Sequence, residues 1–196
     1  MTDAGFLAPA APSPGADRLY AEDVTDLGYV MESSRVWAHQ PALHDGLFAL
    51  LQQTVAAAGL TSRQRGVLVA ACAAARGDAY CALAWGGRLA QAAGADVAAG
   101  VLRGEDDGLD DAERALARWA RCVVGDPNGT TAADVADLRA AGFDDGRIVA
   151  LTAFVALRLA FSSVNDALGA APDRQLAEGL PPQVVDAVRF GRPVGG

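Results

Sequence analysis

An all-α fold is predicted by three features of this 196-residue chain. Alanine makes up about a fifth of it, and alanine loses no side-chain entropy in a helix. Ser, Thr or Asp precede apolar runs and glycines end them, at intervals that suit helices. No run of β-branched residues alternates with period two between hairpin turns, so a sheet is not expected.

Residues 1–16, rich in proline, alanine and glycine, read as a mobile arm. Thr25 or Asp26 is expected to cap a first helix running to about Ala38, with Val30, Ser34 and Trp37 on one face. Pro41 suits an early helical position, and Leu43, Leu47, Leu50, Leu51 and Thr54 follow at helical spacing before Gly59. Thr61 with Gln64 has the form of a capping box, opening a helix that ends at Gly77. Asp78 caps the next helix, which Gly94 closes, and a short one from Asp96 ends near Gly104. Asp110 and Glu113 make a second capping box, for a helix with Leu116, Trp119, Ala120 and Val123 on its buried face. Thr131 begins a helix that Gly142 ends. Asp144 begins the longest, which carries Ile148, Leu151, Val155 and Leu159 towards Gly169. One helical domain thus spans 17–169, and 170–196 is an extension holding one more short helix after Pro181.

All 16 basic residues are arginine, against 24 acids and a net charge of −8. The absence of lysine excludes Schiff-base chemistry, pyridoxal-phosphate anchoring and a P-loop lysine. The acid excess argues against nucleic acid as a partner. The first basic residue is Arg18 and the longest apolar run, Val67 to Ala75, is too short for a bilayer, so neither an export signal nor a membrane span is expected. Three cysteines do not form a secreted disulfide scaffold, which implies a reduced, cytoplasmic protein. With 52% hydrophobic residues and many small alanines, apolar surface is left over, and a homo-oligomer is expected.

Chemistry concentrates around Cys81. With Asp78 as N-cap it holds the third helical position, where unpaired amides and the positive end of the helix dipole favour a thiolate. The charge of Asp78 opposes this, and no histidine is near in sequence. Cys72 is a candidate resolving thiol if the helices on either side of Gly77 fold back on each other, although its place in VLVAACAAA suits packing, as does that of Cys122. His44 aligns with Phe48, Leu51 and Val55, as a boundary histidine or a distant proton acceptor. Arg158, in a very apolar stretch, needs an anion: an aspartate, a ligand carboxylate or a neighbouring subunit. Asn165 and Asp166 follow it on the same helix. No His/Cys pair has zinc-site spacing, and no metal or cofactor is expected.

This segment and its flanks resemble the carboxymuconolactone decarboxylase and AhpD-like alkylhydroperoxidase superfamily, from about Glu22 to Gly169. The matching residues are Leu60-Thr61-Ser62-Arg63, the alanine-rich run into Tyr80-Cys81, Leu89-Ala90…Gly94, Asp110…Glu113-Arg114-Ala115-Leu116, Leu138-Arg139-Ala140-Ala141-Gly142-Phe143 and Asn165-Asp166-Ala167-Leu168. The resemblance implies an oligomeric helical bundle. In its peroxidase branch a glutamate precedes Cys-x-x-Cys-x-x-x-His. Here Cys81 takes the second cysteine, Asp78 the first and Trp85 the histidine, or Gly86 if one residue is inserted. The glutamate position falls near Gly66, and the chain has no glutamate between Glu32 and Glu105. The resemblance therefore implies a peroxidase-related protein with one motif cysteine, reducing a peroxide with an external thiol. Cys81, Asp78 and His44 are its catalytic candidates, and Trp85, Tyr80, Arg158 and Asn165 its substrate-binding ones. Two alternatives stand beside it. One is a cofactor-free enzyme on a small organic acid, with Arg158 anchoring the carboxylate and Asp78 or His44 moving protons. The other is a pseudoenzyme that keeps the bundle to bind a ligand or partner.

Overall fold

The computed structural model describes residues 5–195 and contains eleven α-helices and no strand among them. Helix α1 spans Pro14–Leu27 and α2 Glu32–Trp37. The single helix expected from Thr25 or Asp26 to Ala38 is thus replaced by two, broken at Gly28. The Ser13 hydroxyl caps α1 by accepting from the Ala16 amide, with Pro14 at the first helical position. Gly28, at φ 84°, ends it in a left-handed conformation that a side chain would resist. Thr25 lies inside α1, its hydroxyl donating back to the Ala21 carbonyl.

The helices that follow begin and end where their local signals place them. They are α3 Pro41–Ala58, α4 Ser62–Arg76, α5 Ala79–Ala93, α6 Ala95–Arg103, α7 Asp111–Gly125, α8 Ala132–Ala140 and α9 Asp145–Ala167. Both capping boxes, Thr61/Gln64 and Asp110/Glu113, are closed in both directions. In the extension, α10 (Arg174–Glu178) was not anticipated by any cap signal, and α11 (Pro182–Ala187) is the helix expected after Pro181.

Helix α4 is the axis of the bundle. Residues 66–73 are buried without interruption, because α5, α6, α7 and α9 all pack on it. Its alanines let those neighbours approach closely. Helix α3 lies along α9. Length and composition alone would let α9 cross a membrane, yet it carries Ile148, Leu151, Phe154 and Val155 into the core.

The described segments at both ends of the chain pack on this bundle. Of the arm expected over 1–16, residues 1–4 lie outside the described residues, Gly5 to Leu7 dock on the end of α9, and Ser13 to Ala16 cap and open α1. The Phe6 amide donates to the Leu168 carbonyl at 2.9 Å, and its ring fills the space beside Gly169. The extension lies against α5 at Gly86 and Gly87. A Cβ on Gly86 would stand 2.8 Å from Leu102 and Val184, and one on Gly87 2.4 Å from Leu180. Gly191 sits on the α4–α5 turn, where its own Cβ would come within 2.6 Å of the Gly77 carbonyl. The extension therefore covers the start of α5, which carries Cys81.

Candidate active site

Four residues meet at the start of α5: its N-cap, one side chain on its first turn and two from α9. Gly77 turns the chain at φ 75° and leaves Asp78 as the N-cap, fully buried. One carboxylate oxygen of Asp78 accepts from the Cys81 amide at 2.9 Å, and the other accepts from the Ser162 hydroxyl. Arg158 and Ser162, one helical turn apart on α9, face this cap. Arg158 Nη2 donates to Cys81 Sγ at 3.0 Å, and Ser162 Oγ stands 3.9 Å from the same sulfur. Arg158, Cys81 and Ser162 are all buried.

This geometry reverses the expected ionisation of Cys81. Burial pushes the thiol up to about 12; Arg158 pulls it down, but the charge of Asp78 and its hydrogen bond add to the rise. The helix-start amide expected to stabilise a thiolate is instead taken by the Asp78 carboxylate. The resting site therefore holds a thiol with a hydrogen-bond donor already placed for the thiolate. Cys72, also free and buried, is pushed up to about 11 by burial in the α4 core, and no disulfide joins it to Cys81.

Around Trp85 the structure gathers cations. The guanidinium carbons of Arg88, Arg65 and Arg158 lie 4.7, 4.8 and 5.5 Å from its ring centroid. None of the three is ion-paired with a described carboxylate, in a chain whose acids outnumber its bases. The Nε atoms of Arg65 and Arg158 are buried without an acceptor. Leaving such a donor unsatisfied costs about 1–3 kcal/mol, and more for a charged group. Desolvation of their guanidiniums against the protein, and then repulsion from Arg158, hold half-buried Arg65 and the more exposed Arg88 below the usual arginine range. Gly66, near which the resemblance places a glutamate, faces Leu89, and a Cβ there would stand 3.2 Å from that side chain. Among the described residues no group of His, Cys, Asp or Glu could hold a metal ion.

The remaining candidates lie apart from the sulfur. Tyr80 donates to Asp173 of the extension and accepts from Ser33 at 3.3 Å. Asn165 accepts from the Trp37 indole at 2.9 Å, and its own Nδ2 has no partner. His44 stands 3.3 Å from the exposed Asp45 and stacks on Phe48 at 4.3 Å, bonded to neither Cys81 nor Asp78. A cavity of about 360 Å³, lined by Val36, Trp37, Leu43 and Val164 among others, shares no residue with the Cys81 site. Sequence reasoning missed Ser162, Arg65 and Arg88. Ser162 was legible as the residue four after Arg158, and Arg88 as the residue three after Trp85 and seven after Cys81. Arg65 gave no local signal.

No family model and no curated protein matches the chain. Solved structures do match its fold. The AhpD core of an uncharacterized peroxidase-related protein from Ralstonia eutropha JMP134 superposes with a TM-score of 0.70 at 24% identity, covering 86% of this chain and 94% of that one. The debrominase Bmp8 in its apo form superposes with a TM-score of 0.72 at 14% identity, covering 92% and 96%. A Cys-to-Ala variant of Bmp8 in complex with 2,3,4-tribromopyrrole gives 0.71 over the same coverage and identity. The all-α fold expected from the sequence is thus the AhpD-like helical fold.

Proposed function

We propose that this chain is a divergent member of the AhpD-like superfamily in which Cys81 is the reacting atom, reducing a peroxide with an external thiol. The observation that carries this reading is the Arg158 guanidinium, free of any described carboxylate, donating to Cys81 Sγ at 3.0 Å. A buried cation so placed has little structural reason to be there, whereas it stabilises the negative charge a reacting sulfur develops. Because burial keeps the thiol protonated at rest, deprotonation accompanies attack. Asp78 takes the thiol proton as Sγ bonds to the terminal peroxide oxygen. The O–O bond breaks, the departing alkoxide takes that proton from Asp78 and leaves as the alcohol or water, and Cys81 is left as a sulfenic acid. One small-molecule thiol then expels water to form a mixed disulfide, and a second releases Cys81 as the thiol and carries away a disulfide. The peroxidase-related fold neighbour supports this chemistry. The enzyme works as a homo-oligomer in a reducing, cytoplasmic setting. Exposed Leu43 and Leu50, seven apart on α3, together with exposed Val149 on α9, support the former and three free thiols the latter.

The test is peroxide consumption in the presence of a small thiol, with sulfenate trapping followed by mass spectrometry. Trapping is expected to label Cys81, and Cys81→Ser to lose consumption while Cys122→Ser keeps it. Undiminished turnover in Cys81→Ser would remove this reading.

A further inference from the structure

We infer that Arg65, Arg88 and Arg158 form a binding site for the oxyanion group of a small ligand, against Trp85 and beside the Cys81 sulfur. Their distances to the Trp85 ring put the three guanidiniums within about 10 Å of one another. An aromatic ring has two faces and cannot compensate three cations equally. Asp78, the carboxylate at the Cys81 end of this site, is already committed to the Cys81 amide and the Ser162 hydroxyl, and is not ion-paired with Arg158. Scarcity of acids does not explain this, because the chain carries 24 of them. The buried, unpartnered Nε atoms of Arg65 and Arg158 are two donors without an acceptor. A carboxylate or phosphate supplies what is missing: negative charge, and two or three oxygens that accept from planar guanidinium forks. The site is graded from solvent inwards. Arg88 is exposed at its rim, Arg65 half-buried, and Arg158 buried at the sulfur. An anion drawn in at Arg88 would hold the rest of the ligand next to Sγ.

The inference rests on the proposed role of Cys81 only in making this ligand its substrate; binding itself is read without turnover. Isothermal titration of the full chain at low ionic strength with succinate, benzoate and inorganic phosphate tests it. At least one probe is expected to bind saturably at one site per chain. Arg88→Gln and Arg65→Gln are each expected to weaken that binding by at least about tenfold, the loss of one charged hydrogen-bond partner. Arg88 is the most exposed of the three and forms no ion pair among the described residues, so its replacement is expected to leave the fold intact, as the melting temperature of the variant reads. Cys81→Ser is expected to retain binding. A preference for succinate or benzoate assigns an organic acid, and a preference for phosphate a phosphorylated ligand. No saturable binding of any probe up to about 10 mM overturns the inference, and so does binding unchanged in both arginine variants. Loss of self-association in Arg88→Gln, with no probe bound by the native chain, overturns it too and gives the arginines to a carboxylate of a second copy. Anion binding without peroxide turnover overturns the redox reading alone.

Discussion

Replacing Arg158 with methionine is expected to raise the melting temperature and to abolish Cys81-dependent turnover. The side chain is 6% exposed, has no carboxylate partner among the described residues, and leaves its Nε without an acceptor. Methionine matches its length, fills the space with apolar atoms, and removes both the desolvated charge and its repulsion with Arg65 and Arg88. A gain of about 1–3 kcal/mol follows, since replacing buried ionic groups by apolar ones of similar size is often stabilising. For a chain of this length that is about 3–9 °C. The same change deletes the donor 3.0 Å from Sγ, and turnover should fall by about 10²–10³. Thermal melting and the peroxide assay on one preparation read both effects. A fall in melting temperature would mean that the guanidinium is structurally paired after all.

Asp78→Ala is expected to act in the opposite direction on the fold. It removes the N-cap of α5, worth about 1 kcal/mol, and orphans the Cys81 amide and the Ser162 hydroxyl, at about 1–3 kcal/mol in a buried site. The total is about 2–4 kcal/mol, a loss of roughly 4–16 °C in melting temperature. Asp78→Asn separates fold from chemistry, because the amide oxygen still accepts the helix amide while the group no longer takes a proton. It should melt well above Asp78→Ala and still lose turnover. Equal melting of the two variants would show that capping contributes little here.

The helices were legible where their signals are local. Thr61 with Gln64, Asp110 with Glu113, and the glycines at 59, 77, 94 and 104 act through the backbone of their own neighbourhood and fall where expected. Helix α1 was misread because Ser13-Pro14, a good helix start, lies in a segment whose composition suggests a loose arm. What holds that segment is contact with Leu168 and Gly169, far away in sequence. In the site, Asp78, Cys81 and Arg158 could be singled out, the first two as cap and third helical position, the last as a charge in an apolar run. Which arginines lack an acid partner depends on what the fold places beside them, so Arg65 stayed hidden and the spacing of Arg88 to Trp85 and Cys81 went unused. The ionisation of Cys81 was read with the wrong sign for the same reason. Counting amides at a helix start ignores the enclosure by α9 and the extension, which outweighs them.

The most direct test is the rate of Cys81 alkylation by iodoacetamide against pH, followed by mass spectrometry, in the native chain and in Arg158→Met. In the native chain the rate should climb by about tenfold per pH unit through the neutral and mildly alkaline range, without a plateau, as for a thiol ionising near 12. Arg158→Met should slow it by at least about tenfold at every pH, despite the more stable fold. A plateau near neutral pH would mean that Cys81 rests as a thiolate, and a profile indifferent to Arg158 would mean that the guanidinium does not govern the sulfur.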